Sequence, residues 1–280
     1  MRSFKEYISG APSTSVINDV SNYVKQSSVS LSPIDSFYTD RNNLVTSMTP
    51  TIIESHPSLS PLALVGLISI TENYFRNLLS ELIRICPLAK ELSAERTLNL
   101  ASIWFGNANV ERGAFEGVSF SSTEEIKKNI KKILNFDVEK VGDLDTPLNH
   151  FAQLCELRHS IVHSAGILSG RNAIKLHLPA SKDDLKIVVG YDEFQEAVGV
   201  CTSLVQAINH QLFDEMVKRW LHRWPQTPVY RGADKLKLFR LVWNAFISKQ
   251  DQQQGRTNGS LTALRLKRLI DQELSDNDSD

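Results

Sequence analysis

Apolar residues at helical spacing constrain the fold of this chain more than any other feature of its sequence. They recur every three or four positions over residues 61–85 and again over 192–220, so each stretch predicts a long amphipathic helix. Ser60 is a favourable N-cap, Pro61 suits a first helical turn, and Pro87 ends the first stretch. The pattern predicts an all-α fold, in which short connections favour an antiparallel helical bundle.

Shorter periodic segments predict the remaining elements. Ser122 and Glu125 match a capping box, which predicts a helix start at Ser122. Two short β-like runs, residues 173–178 and 185–189, flank a turn and predict a small β-hairpin. Further helices are expected over about 88–105, 122–135, 147–164, 235–248 and 261–274.

Composition divides the chain into three predicted parts. Residues 1–60 are rich in Ser, Thr, Pro and Asn, which is typical of an arm with short helices, one of them starting near Ser15. Residues 61–224 hold the predicted helical bundle. Residues 225–280 predict additional C-terminal helices followed by a disordered acidic tail.

Charge and cysteine content limit the classes of protein. The net charge of −1 excludes a uniformly basic nucleic-acid-binding chain, so a nucleic-acid site must be a local patch. Cys86, Cys155 and Cys201 lie far apart in apolar helical segments, which favours buried reduced thiols and a cytoplasmic location. Neither a secretory leader nor a membrane-spanning stretch is expected, because the apolar runs are too short.

Residues 158–163, Arg-His-Ser-Ile-Val-His, carry the strongest chemical signal in the sequence. A histidine moves protons near neutral pH and an arginine holds phosphate with a permanently charged fork, so the pair suits phosphodiester chemistry. On an ideal helix Arg158 and His163 lie about 140° apart, whereas His159 and His163 share a face. The two histidines on this face could also bind a metal ion, but no third ligand is obvious and no metal is predicted. A solvated helix end, which favours Arg and His through the helix dipole, is the alternative interpretation.

This segment resembles the signature helix of the HEPN superfamily, and in particular the HEPN ribonuclease-type domains of bacterial toxin and phage-defence systems. Residues 154–166 carry an Arg-x4-His motif followed by a glycine, and the order of helices is similar over about residues 60–222. The resemblance implies that Arg158 and His163 are a catalytic pair. It also implies a homodimer that brings two copies of this helix together.

The resemblance further implies metal-independent cleavage of RNA by attack of the 2′-hydroxyl, with no cofactor. His163 would transfer a proton and Arg158 would stabilise charge on the phosphate. An upstream helix in the family often carries a glutamate, here Glu72, although an ion pair with Arg76 is the simpler interpretation. Asparagine often follows the arginine in the family, whereas this chain has His159, so the role of that residue stays open.

Four further residues are candidates for substrate binding. Ser160 and Ser164 extend the polar patch around the two histidines. Lys128 and Lys132 belong to a basic helix face that suits contact with an RNA backbone, with a solvated face as the alternative.

Two functions from different classes remain open. One is a ribonuclease effector, a toxin or anti-phage protein that an antitoxin or an activating partner controls. The other is a non-catalytic helical module that binds nucleotide, RNA or a partner protein as a regulatory subunit. Loss of function on replacing Arg158 or His163 would distinguish the first from the second.

Overall fold

The computed structural model describes Ile8 and residues 15–25, 31–104, 110–140 and 142–277. It divides the chain into two compact units, residues 1–30 and residues 31–280. In the first unit the short helix expected near Ser15 is a single 3-10 turn, Val20–Tyr23, capped by Asp19. The division near residue 30 differs from the predicted boundaries at residues 60 and 224, because helices on both sides of those positions share one core.

Residues 31–280 form an all-α unit, as the sequence predicts. The helix expected over 88–105 is divided into two short helices. Within the described residues, no helix is both long enough and apolar enough to cross a bilayer. The helices of the described part are α1 (Pro33–Ser47), α2 (Pro50–Ser55), α3 (Leu59–Ile85), α4 (Pro87–Leu92), α5 (Leu100–Trp104), α6 (Thr123–Leu134), α7 (Asp145–Ser164), α8 (Gly170–Lys175), α9 (Tyr191–His222), α10 (Lys235–Phe246), α11 (Lys249–Gln253) and α12 (Ala263–Asn277).

Helices α3, α7 and α9 form the centre of the bundle, and each packs against the other two. Their facing sides are apolar: Leu67 and Leu78 of α3, Phe151 of α7 and Leu204 of α9 have no exposed surface. Complete burial of such a side chain contributes roughly 1.5–3 kcal/mol. The helix that carries the sequence motif is therefore supported by two long neighbours.

Helix α1 belongs to this core, although the sequence analysis assigned its residues to an arm. Ser32 caps the helix by accepting a hydrogen bond from the Asp35 N–H at 3.3 Å. Phe37 and Tyr38 are buried, and the Phe37 ring meets the Tyr74 ring of α3 edge to face at 6.2 Å. Burial of these rings packs α1 against the bundle.

The C-terminal helices also share the core. Helix α10 packs against α9 and α3, and α12 packs against α10. Phe239 of α10 is fully buried, and its ring lies 4.8 Å from the ring of Trp220 on α9. Residues 276–277, expected in a disordered tail, belong to α12 instead, and residues 278–280 lie outside the described residues.

The predicted β-hairpin is wrong. Its first strand overlaps the last three residues of α8, and the described residues contain one isolated antiparallel bridge, between Ile167 and Lys186, instead of two paired strands. Ser169 caps α8 by accepting a hydrogen bond from the Asn172 N–H at 3.2 Å. The buried Asn172 amide donates to the Glu156 carboxylate of α7 at 2.8 Å. The cap and this buried bond outweigh the alternating apolar pattern.

Helix starts were predicted with mixed success. The Ser122 Oγ accepts a hydrogen bond from the Glu125 N–H at 3.2 Å, so the predicted cap of α6 is confirmed. Helix α3 begins at Leu59, and the Ser60 hydroxyl donates to the Pro57 carbonyl at 3.1 Å instead of capping the helix. The helix thus starts two residues earlier than the Ser60-Pro61 step suggested.

Candidate functional site

The end of α7 presents the segment with the strongest chemical signal. After Ser164 the backbone is left-handed at Ala165 (φ 48°) and at Gly166 (φ 84°). The Gly166 N–H donates to the Ser160 carbonyl at 3.1 Å and the Ala165 N–H donates to the same oxygen, so the two left-handed residues close the helix end. The Gly166 carbonyl then accepts a hydrogen bond from the Ile187 N–H at 2.8 Å. These bonds fasten the end of α7 to the segment that precedes α9.

Arg158 carries a half-buried side chain whose Nε is buried and has no hydrogen-bond acceptor among the described residues. Its charge also acts on Cys155, one turn earlier on α7. Burial is the main cause that raises the pKa of the Cys155 thiol, and the positive charge of Arg158 offsets part of that rise. An unsatisfied buried donor costs about 1–3 kcal/mol, which an anionic ligand oxygen would offset.

His159 and His163 lie on the solvent side of α7. Both side chains are exposed, and their ring centroids are 4.6 Å apart, as expected for side chains one turn apart. Arg158 is half-buried where His163 is exposed, so the two side chains lie on different sides of one helix. This agrees with the separation of about 140° on an ideal helix. The structure brings the two histidines together but does not place Arg158 on their face.

Ser160 and Ser164 differ in their access to a substrate. Ser160 is 1% exposed and lies on the core side of α7, and its Oγ has no hydrogen-bond partner in the described part of the chain. The helix turns Ser160 inward, so in this conformation its hydroxyl presents almost no surface to a substrate. Ser164 is exposed in the last turn of α7, next to His163.

Glu72 is 5% exposed on α3 and is held by two donors. Its Oε2 accepts a hydrogen bond from Arg76 at 2.8 Å and another from the Phe120 N–H at 3.2 Å. Arg76 also donates to the Val118 carbonyl at 3.0 Å. These contacts fasten the segment before α6 to α3, which is the simpler of the two interpretations of Glu72.

Lys128 and Lys132 lie on the exposed face of α6. The Lys128 Nζ lies 2.8 Å from the Glu125 carboxylate, and Lys132 is exposed on the same helix. The neighbouring Lys131 pairs with Asp137 at 3.2 Å. This face of α6 is therefore exposed and partly paired with acidic side chains, which limits its charge for RNA.

A polar cleft of about 330 Å³ opens beside His159, lined by the start of α6, by α7 and by α8. Arg171 and Lys175 of α8 supply exposed cations to this cleft, and Lys175 forms an ion pair with Glu156. The first turn of α6, the positive end of that helix dipole, lies at the same cleft, where Glu124 supplies a second acidic group. The cleft thus combines a histidine with two cations and a helix N-terminus, a set that suits phosphate.

Arg171 and Lys175 were missed because the sequence analysis assigned Lys175 to a β-strand and left Arg171 in the connection before it. A usable signal was Ser169, a good N-cap, followed by two cations four residues apart. On a helix this spacing puts both cations on one face.

In the part of the chain that the structure describes, no three His, Cys, Asp or Glu side chains are grouped so that they could hold a metal ion. Cys86, Cys155 and Cys201 are free and buried, as the sequence predicts. Comparison of the chain with protein-family models, with curated proteins and with solved structures found no match.

Proposed function

We propose that this protein is a metal-independent endoribonuclease of the HEPN type that acts at the end of α7. The proposal rests on one combination: an exposed histidine pair, and on the same helix an arginine whose buried Nε lacks an acceptor. A phosphodiester offers oxygens to Arg158 and proton-transfer positions to the histidines. The resemblance of residues 154–166 to the HEPN signature supports the same reaction.

In the proposed reaction the ribose 2′-oxygen attacks the adjacent phosphorus, and the bond from phosphorus to the leaving 5′-oxygen breaks. His163 accepts the 2′-hydroxyl proton, and Arg158 stabilises the charge on the phosphate oxygens in the transition state. The leaving oxygen takes a proton from His159, whose ring is tilted by 50° to that of His163 at 4.6 Å, or from the His163 of a second copy. The products are a 2′,3′-cyclic phosphate and a 5′-hydroxyl.

Two copies of α7 across a two-fold axis would complete this site. Because Arg158 and His163 lie on different sides of one helix, a second copy is a simple way to bring both groups to one phosphate. Val162 and Ile167 are 47% and 44% exposed and supply apolar surface beside His163. These side chains support an interface at the end of α7.

Cleavage of a defined single-stranded RNA in excess EDTA tests the proposal. Wild-type protein should cut the RNA, leave cyclic-phosphate ends, and spare DNA of the same sequence because DNA lacks the 2′-hydroxyl. His163→Ala should lower the cleavage rate about 100-fold or more, since it removes a proton-transfer group. His222→Ala removes another exposed histidine, on α9, and should cut at the wild-type rate.

Equal cleavage by wild type and His163→Ala would contradict the assignment of this site. A proposed effector of this kind should also stop bacterial growth when it is expressed without an antitoxin or another restraining partner. His163→Ala should relieve that toxicity at an equal protein level.

A non-catalytic module that binds RNA or nucleotide is the second candidate function. The cleft with Arg171 and Lys175 favours it, because these cations can bind an anionic strand without any help from His163. Gel-shift measurements separate the two functions. Under the second function Arg171→Ala weakens RNA binding while wild type and His163→Ala bind alike and neither cuts.

A further inference from the structure

A second cavity, of about 460 Å³, shares no lining residue with α7 or α8. It lies between α1, α9, α10 and the loop over 254–262, and its size falls within the usual range for small-molecule sites. Trp243, Phe213 and Phe246 line it, with the two phenylalanine rings edge to face at 5.7 Å. Aromatic walls of this kind suit a flat ring.

Asp251 places a spare acceptor at this cavity. The residue is 9% exposed, and its Oδ2 accepts a hydrogen bond from the Tyr38 hydroxyl at 2.9 Å. Burial is the main cause that raises the pKa of Tyr38 to about 12, so Tyr38 remains a donor at neutral pH. The buried Oδ1 has no hydrogen-bond donor among the described residues. A buried carboxylate oxygen without a donor is costly and is well matched by a ligand N–H.

Arg256 supplies the opposite charge at the mouth of the cavity. Its guanidinium lies 3.6 Å from the Asp251 Oδ1, too far for a hydrogen bond, and its side chain is 57% exposed. The backbone around it is fastened, because the Arg256 N–H donates to the Asp251 carbonyl at 2.9 Å and the Gln252 amide donates to the Leu261 carbonyl at 3.0 Å. The backbone of Arg256 is thus held in place, while its exposed guanidinium makes no short hydrogen bond to Asp251 and is available to an anion.

We propose that this cavity binds a guanine nucleotide. The base stacks among Trp243 and Phe213, its N1–H and 2-amino groups donate to the Asp251 carboxylate, and its phosphate pairs with Arg256. A carboxylate only accepts hydrogen bonds, so it favours a base edge with two adjacent donors. Adenine presents an acceptor at N1, and this acceptor and the carboxylate oxygens would repel each other. The proposal is independent of the ribonuclease activity, because no residue of α7 or α8 takes part.

Calorimetric titration of the wild-type protein with three nucleotides tests whether the protein recognises the two donors on the base edge. Guanosine monophosphate should bind at least tenfold more tightly than inosine monophosphate, which lacks the 2-amino donor, and than adenosine monophosphate, which lacks both donors. Equal affinity for the three, or no heat from guanosine monophosphate at about 1 mM, would overturn the proposal. This comparison needs no variant, so it does not depend on how a substitution affects folding.

Two variants then assign the contacts. Asp251→Asn should remove the preference for guanosine over inosine monophosphate, since the amide presents only one acceptor. Arg256→Met should weaken guanosine monophosphate binding to the level of guanosine and leave the affinity for guanosine unchanged, because the nucleoside has no phosphate. Retention of the full preference in a folded Asp251→Asn protein, checked by thermal unfolding, would contradict the placement of the base.

Discussion

At the scale of single residues, Arg158 and Glu72 are two charged side chains near the core that differ in their hydrogen-bond partners. Glu72 shares one carboxylate oxygen between Arg76 and the Phe120 N–H, so its charge serves the fold. The Nε of Arg158 has no acceptor in the described residues, so the fold does not use that donor. Unsatisfied donors of this kind mark places where a ligand contributes what the protein does not.

Replacement of Glu72 is expected to affect stability and not cleavage. Glu72→Ala leaves the buried Phe120 N–H without its acceptor and removes the ion pair of the partly buried Arg76, which keeps only the Val118 carbonyl, so the free energy of unfolding should fall by about 2 kcal/mol. Urea unfolding measures this loss. Glu81→Ala is the matched control, because it breaks an exposed pair with Arg84 on the same helix and should cost well under about 1 kcal/mol.

A further variant, Glu72→Gln, tests the alternative role of Glu72 as a residue of the catalytic site. RNA cleavage per folded molecule should stay within about twofold of wild type in Glu72→Gln, because Gln keeps an acceptor for the Phe120 N–H. A large loss of cleavage in a folded Glu72→Gln protein would instead assign Glu72 to positioning Arg158.

At the scale of elements, the end of α7 depends on two consecutive left-handed residues, one of which is not glycine. A left-handed conformation costs an L-residue roughly 1–2 kcal/mol, whereas glycine loses about 0.4–1 kcal/mol more backbone entropy on folding. The first quantity is larger, so Ala165 is a suboptimal residue at this cap. Gly166 has open space around the position of a Cβ, so only its backbone conformation resists substitution.

Two opposite changes test this balance. Ala165→Gly should raise the free energy of unfolding by about 0.5 kcal/mol, and Gly166→Ala should lower it by about 1 kcal/mol. Gly117→Ala is a control with equally open space and no positive φ, and it should not destabilise the protein. A stability loss in Ala165→Gly would show that the cap does not have the left-handed geometry assigned to it.

Elements with strong local signals were predictable from the sequence, and those that depend on tertiary contacts were not. Helix α6 has its own cap at Ser122, and the apolar stripe of α9 is long enough to exclude a strand. Helix α8 has six residues, too few for a periodic pattern, and it depends on the contact from Asn172 to Glu156. Helix α1 was missed because polar residues separate Phe37 and Tyr38 from other apolar positions, and their burial against α3 is non-local.

The sequence predicted how the candidate catalytic residues are arranged along α7, but not the cleft beside them. Sequence spacing correctly placed His159 and His163 on one face and Arg158 on another. It did not reveal Arg171, because the cleft forms from three elements whose approach depends on packing. The cavity at Asp251 was equally hidden, since its walls come from α1, α9 and α10 and are far apart in the sequence.

At the scale of the whole molecule, the single core of residues 31–280 holds two separate candidate binding regions. The centre of the bundle fixes α7 through α3 and α9, and α9 also supplies a wall of the cavity at Asp251. One side of α9 thus supports the proposed ribonuclease helix, and another part of it lines the proposed nucleotide cavity. The two regions share a scaffold without sharing residues, so each can be changed alone.

The proposed dimer makes its own prediction, because Arg158 and His163 lie on different sides of one helix. If each site takes Arg158 from one protomer and His163 from the other, then Arg158→Ala and His163→Ala proteins are each inactive but complement one another when co-expressed. When the two chains are made in equal amounts and pair at random, half of all dimers carry one chain of each kind. Each such dimer keeps one intact site of two, so cleavage should return to about a quarter of the wild-type rate. Val162→Glu adds a charge beside His163 at the proposed interface. It should abolish the dimer in analytical ultracentrifugation and also the complementation. Val188→Glu, at a 79% exposed position outside α7, is the control and should preserve both. Lack of complementation in a confirmed mixed dimer would place Arg158 and His163 of one protomer in the same site.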